Sequence, residues 1–120
     1  MNIYIKKIAT YLPEKVVTNE ELVKDFPEWS VDKIADKIGV DERRIAVEGD
    51  TATDMAFAAA DKLFVDSDVE KSDIDFVLFC TQSPDYKLPT SACLLQHRLG
   101  LRTNIGAIDY NLGCSGYVYG

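Results

Sequence analysis

The 120-residue chain has one histidine, one tryptophan, two methionines and three cysteines, and it is short of positive charge. Thirteen Lys and Arg stand against twenty Asp and Glu, a formal net charge of −7. A surface of that sign repels phosphate backbones, which speaks against nucleic acid as a partner. It is equally unsuited to an anionic membrane face. No apolar run approaches the roughly 20 residues needed to cross a bilayer. The opening Met1-Asn2-Ile3-Tyr4-Ile5-Lys6-Lys7 lacks the basic-then-apolar order of a secretory signal. A cytoplasmic location with no membrane contact is the expectation. Cys80, Cys93 and Cys114 are odd in number, widely spaced and outside any CxxC pair. That argues against a disulfide framework and against a metal site, and for reduced thiols.

What is present suits a globular domain: 47% of the residues are hydrophobic and 28% charged. Ile3 to Tyr11 is rich in β-branched and aromatic residues and reads as a first strand, stopped by Leu12-Pro13. Thr18-Asn19-Glu20-Glu21 has the spacing of a capping box, opening a short helix to about Asp25. Ser30 is the N-cap of a second helix that ends at Gly39. A polar loop around Glu48-Gly49-Asp50 leads to an alanine-rich helix from about Thr51 to Val65. Ile74 to Cys80 is a nearly continuous apolar run, the pattern of a strand buried on both faces. Two prolines mark the loop 81–89, a helix runs from about Thr90 to Leu99 before Gly100, and Asn104 to Tyr110 is a third strand. This order predicts an α/β fold, mainly a parallel sheet with helices on both faces.

The residues after that third strand are Asn111-Leu112-Gly113-Cys114-Ser115-Gly116. A cysteine at a strand-to-helix turn sits beside free backbone N–H groups, which favour the thiolate. Flanking glycines permit a tight turn and the approach of a substrate carbonyl to the backbone. The cysteine's own N–H can then serve in an oxyanion hole. On this motif alone, a nucleophile and a small thiol packed at a tight turn are equally good readings.

Several ordered segments resemble the β-ketoacyl-acyl-carrier-protein synthase III family of thiolase-fold condensing enzymes. Ala9-Thr10-Tyr11-Leu12-Pro13 resembles the end of its first strand, and Val17-Thr18-Asn19 continues that likeness. Ile38-Gly39-Val40-Asp41-Glu42-Arg43-Arg44-Ile45 resembles its Gly-Ile-x-Glu-Arg segment. Thr81-Gln82-Ser83, then Leu88-Pro89-Thr90-Ser91-Ala92-Cys93 with Gln96 and Leu99-Gly100, resembles the loop and helix after the second core strand. Asp109 to Gly116 resembles the nucleophile segment.

The resemblance implies that residues 1–120 are the N-terminal part of a thiolase-like domain, truncated after the nucleophile segment. Cys114 would accept an acyl group from acyl-CoA, and malonyl-acyl carrier protein would then condense with it. Acyl-CoA and acyl carrier protein are thus the expected partners, in a homodimer, with no cofactor and no metal. The family's catalytic histidine and asparagine lie in a later part of its chain, so this fragment is expected to be inactive in condensation. His97 is expected on a surface or dimer contact, not beside Cys114. Leu88 matches a position that reaches the acyl pocket across the dimer, with local loop packing as its alternative. Lys33 and Lys37 stand where the family has a tryptophan and an arginine against the CoA adenine. Lys37 can meet nucleotide phosphates or simply face solvent. Arg43 can contact the ligand or form a structural salt bridge.

Two other function classes also fit the sequence. Another thiolase-fold enzyme shares the cysteine, although Gln82 cannot be the base that a glutamate provides in hydroxymethylglutaryl-CoA synthases. A small doubly wound binding domain fits the element order but lacks a Gly-rich phosphate loop.

Overall fold

Hydroxyl-led helix starts account for much of the regular structure. In the computed structural model, which describes residues 2–120, Thr18 caps α1 (Asn19–Asp25), Ser30 caps α2 (Val31–Ile38) and Thr51 caps α3 (Ala52–Val65). In each case the side-chain oxygen accepts from a first-turn N–H that has no partner within the helix. Thr18 with Glu21, and Thr51 with Asp54, close complete capping boxes. The Thr51 hydroxyl and the Arg98 guanidinium together hold the Asp54 carboxyl below its ordinary value. Gly39 ends α2 with φ of 69°, a left-handed conformation that carries no penalty without a Cβ.

The chain divides into two compact units, residues 12–49 and residues 2–11 with 50–120. In the smaller, β1 (Val16–Thr18) and β2 (Glu42–Arg44) form an antiparallel pair beside α1 and α2. Asn19 ties this unit together. It is only 3% exposed, its amide donates to the Val40 carbonyl at 2.9 Å, and its Oδ1 accepts from Arg43 at 3.0 Å.

The larger unit is built on β3 (Phe76–Cys80) and β4 (Gly106–Tyr110), which run parallel with Phe76 opposite Gly106 and Cys80 opposite Tyr110. Side chains alternate across such a sheet. Val77, Phe79 and Ala107 turn to one face, where α3 and α4 (Ser91–Arg98) cover them. Phe79, Leu95, Leu99 and Leu101 are the large buried side chains there, each worth about 1.5–3 kcal/mol of transfer free energy. Ala52, Ala56 and Ala60 on α3 face the same core. Small residues let the helix backbone approach closely.

Asp109, also on this face, binds the start of α4. Its two carboxylate oxygens accept from Ser91 N at 2.8 Å and Ala92 N at 2.7 Å. These are charge-assisted bonds to N–H groups of fully buried residues. Thr90 occupies the N-cap position but makes no side-chain cap bond. An aspartate 17 or 18 residues further along the chain performs that task instead.

Two expectations need correction. Residues 3–11 form no strand, because no ladder partner for their backbone stands among the described residues. They lie beside the end of α3, with Lys6 paired to Asp68 at 3.7 Å. The run 74–80 is not buried on both faces: Phe76 and Leu78 are 53% and 49% exposed. Helices do stand on both faces of the β3–β4 sheet, as expected, with α3 and α4 on one. On the face of Leu78, Ile108 and Tyr110 stands the single turn α5 (Gly116–Tyr119). The continuous apolar pattern reported a strand with two apolar faces, not two covered ones.

Replacing Asp109 with alanine leaves two buried helix-start donors without an acceptor. Urea denaturation should show a loss of about 2 kcal/mol. An unchanged midpoint would show that α4 does not depend on this cap.

Candidate active site

The parallel pairing ends on Cys80 and Tyr110, and one further bond extends it, from Thr81 N to the Tyr110 carbonyl at 3.2 Å. The chain then turns sharply. Gly116 N donates to the Gly113 carbonyl at 2.8 Å, which closes a turn with Cys114 and Ser115 at its centre. Tyr119 N to Ser115 O and Gly120 N to Gly116 O continue it into α5. Cys114 is exposed, and among the described residues its backbone N–H donates to no acceptor. The expected strand–turn–helix setting is present. The helix is a single turn, so its dipole contributes little to the thiol. The free N–H is the more useful feature.

The C-terminal ends of parallel strands are where open α/β sheets hold ligands. A shallow hollow of about 150 Å³ lies there, lined by Thr81, Pro84, Asp109, Tyr110 and Asn111. Asp109 is committed to α4, so the polar groups left to the hollow are mainly hydroxyl, amide and backbone.

Gly116 is buried against the end of the sheet. A Cβ there would run into Cys80 Sγ, with Leu112 Cβ at 3.3 Å and the Tyr110 ring at 3.7 Å. The Cys80 thiol donates to the Leu112 carbonyl at 3.4 Å, and the Tyr110 hydroxyl donates to the Gly116 carbonyl at 2.9 Å. Burial raises the Tyr110 hydroxyl above the ordinary tyrosine value, and the Cys80 thiol beside it adds to the effect. Tyr110 therefore stays a proton donor at neutral pH. The Cys80 contacts span 30 or more residues of sequence, and no motif announces them.

The other sequence candidates fall elsewhere. Leu88 lies on the loop between β3 and α4 and is 82% exposed, so it is not packed locally. Lys37 is exposed in the last turn of α2. Arg43, half-buried on β2, is occupied by Asn19. Both belong to the 12–49 unit. Lys33 sits with its ammonium 4.5 Å from the centre of the Trp29 ring, so a cation and an aromatic do meet in this segment. His97 is exposed in the last turn of α4. Cys93 is held by the Thr90 hydroxyl at 3.2 Å and has a packing role. Among the described residues, no three His, Cys, Asp or Glu side chains gather as a metal site. No helix among them is long and apolar enough to cross a membrane.

No family model matches the sequence. Curated relatives do. The β-ketoacyl-[acyl-carrier-protein] synthase III of Bacillus pumilus is 41% identical over 123 residues, covering all of this chain and 38% of that protein. That of Xylella fastidiosa is 44% identical over 112 residues, covering 91% of this chain and 33% of its own. The chain is a homologue of the β-ketoacyl-[acyl-carrier-protein] synthases III. It spans about a third of the length of these relatives. A solved 3-oxoacyl-(acyl-carrier-protein) synthase III superposes with a TM-score of 0.89 at 56% identity, over 96% of this chain and 34% of that one. The fold is accordingly thiolase-like, a mix of helices and strands with a parallel component.

The Arg43–Asn19 bond makes a prediction that separates structure from ligand binding. Arg43→Ala leaves the Oδ1 of a buried asparagine without its donor and should cost about 1–3 kcal/mol in chemical denaturation. Unchanged stability would reject the structural role.

Proposed function

We propose that Cys114 is the acyl-accepting nucleophile of a 3-oxoacyl-[acyl-carrier-protein] synthase III. The supporting observation is the exposed thiol at the centre of the Gly113–Gly116 turn, beyond the C-terminal ends of the parallel strands. Its sulfur attacks the thioester carbonyl of an acyl-CoA, and the free Cys114 N–H is available to the oxyanion that develops. The C–S bond to CoA breaks, CoA leaves as a thiol after taking up a proton, and the acyl group remains on Cys114. One thioester replaces another of similar energy, so the enzyme is primed without an activating co-substrate.

Malonyl-acyl carrier protein then loses carbon dioxide. The resulting carbanion attacks the Cys114 thioester, releasing the cysteine and a 3-oxoacyl product. Acyl-CoA and acyl carrier protein are substrates, and the reaction as written uses no cofactor or metal. The histidine and asparagine for decarboxylation belong to a part of the protein beyond these 120 residues, so the segment by itself is inactive in condensation. We place the whole protein in the cytoplasm as a homodimer. There Leu88 reaches the partner's acyl pocket, Lys37 meets the CoA phosphates, and Arg43 serves the fold of its own unit. A leucine in place of a large aromatic leaves room for a primer longer or more branched than acetyl.

Incubating the whole protein with acetyl-, butyryl- and isobutyryl-CoA, followed by peptide mass spectrometry, tests this directly. The acyl mass should appear on the Cys114 peptide and vanish in Cys114→Ala. Leu88→Phe should reduce labelling by the two larger primers roughly tenfold or more relative to acetyl. Labelling of Cys80 or Cys93 with Cys114 unmodified would sink the assignment. Equal primer preference in Leu88→Phe would remove Leu88 from the pocket.

A further inference from the structure

The turn that carries Cys114 is held at both ends by the last residue pair of the parallel sheet. Cys80 ends β3, Tyr110 ends β4, and the two stand opposite each other in the ladder. Both project from the face opposite α4, because Phe79 and Asp109 take the covered face. Cys80 grips the near end of the turn through the Leu112 carbonyl at 3.4 Å. Tyr110 grips the far end through the Gly116 carbonyl at 2.9 Å. Between these anchors, Gly116 packs so closely on the Cys80 sulfur that a methyl group would have no room. Leu112 and Gly116 each lie two residues from Cys114, so the grips bracket the thiol symmetrically in the chain.

We infer that Cys80, Tyr110 and Gly116 are positioning residues that fix the direction of the Cys114 thiol. This rests on the nucleophile role of Cys114 proposed above. The physical reason is geometric. Within its own stretch of chain, the turn is fixed only by its 2.8 Å bond and by the bonds that continue it into the single turn α5. A displacement of about 1 Å at a reacting atom can reduce a rate on the order of a hundredfold. Carbonyls pinned on both sides fix the backbone around Cys114, whose N–H is unspent among the described residues. Cys80 thereby has a use as a non-reacting thiol: its proton is committed to Leu112, and its bulk sets how near Gly116 can come. The sulfur and Gly116 are matched to each other. A methyl group on Gly116 would meet the Cys80 sulfur, so one of the two must shift or shrink.

The test is a double-mutant cycle in the whole protein, with Cys114 chemistry read in two independent ways. One is the rate of acyl transfer from acetyl-CoA at saturating concentration. The other is the pH dependence of Cys114 alkylation by iodoacetamide, followed by peptide mass spectrometry with Cys93 as the internal control. Gly116→Ala should lower acyl transfer about tenfold or more with KM little changed, and should shift the alkylation midpoint of Cys114 but not that of Cys93. Adding Cys80→Ala to Gly116→Ala makes room for the methyl group and should recover much of the loss. Tyr110→Phe should shift the Cys114 midpoint without changing the circular dichroism spectrum, and Cys80→Ser should stay near wild type because it keeps a donor.

Additive effects in the cycle, or wild-type acyl transfer and alkylation in a folded Gly116→Ala protein, overturn the inference. Should Gly116→Ala fail to fold, Tyr110→Phe decides, and an unshifted Cys114 midpoint there overturns it. If wild-type protein takes no acyl group on Cys114 while the alkylation cycle behaves as described, the nucleophile proposal fails and the positioning of the thiol stands.

Discussion

The register of β3 against β4 is the constraint on which the larger unit depends. Because side chains alternate along a strand, adjacent residues of β4 serve opposite faces. Asp109 turns to the helix side and holds the first turn of α4, while Tyr110 turns to the other side and holds the turn bearing Cys114. A slip of one residue would exchange them, leaving buried N–H groups of α4 without an acceptor and the Cys114 turn without its anchor. Packing and chemistry are therefore set by one pairing. The same slip would turn Ala107 away from the core formed by Phe79, Ala92, Leu95, Leu99 and Leu101 and bring the larger Ile108 in its place.

Around that pairing the sequence distributes tasks by residue size. Alanines on α3 allow the helix to approach the core, and leucines on and after α4 fill it. Gly106 accommodates the Phe76 ring, and Gly116 accommodates the Cys80 sulfur. Both glycines are needed for space, since neither has a positive φ. Gly39 and Gly100, at the ends of α2 and α4, are glycines for conformation instead, with φ of 69° and 66°.

Local rules were enough to place most elements. The hydroxyls at Thr18, Ser30 and Thr51 and the glycines at 39 and 100 act within three or four residues, so helix limits are readable from spacing. The Cys114 turn was readable for the same reason, with its glycines and cysteine adjacent in the chain. What was not readable depends on distant partners. A strand across residues 3–11 needs another strand to complete its ladder, and composition cannot say whether one is present. Val16–Thr18 and Glu42–Arg44 are three-residue strands that exist only through each other. Arg43 looked equally suited to a ligand or to a salt bridge, and its partner is a neutral asparagine 24 residues earlier. The Cys80 and Tyr110 anchors were hidden in the same way.

Cys114 as the atom that receives an acyl group from CoA is the central claim, and its most direct measure is the free CoA released in that transfer. Whole protein mixed with excess acetyl-CoA, with no acyl carrier protein present, should release a rapid burst of one CoA thiol per chain and then nearly stop. Cys114→Ala should give no burst. Slow release without a burst from wild-type protein, or an undiminished burst from Cys114→Ala, would contradict the account.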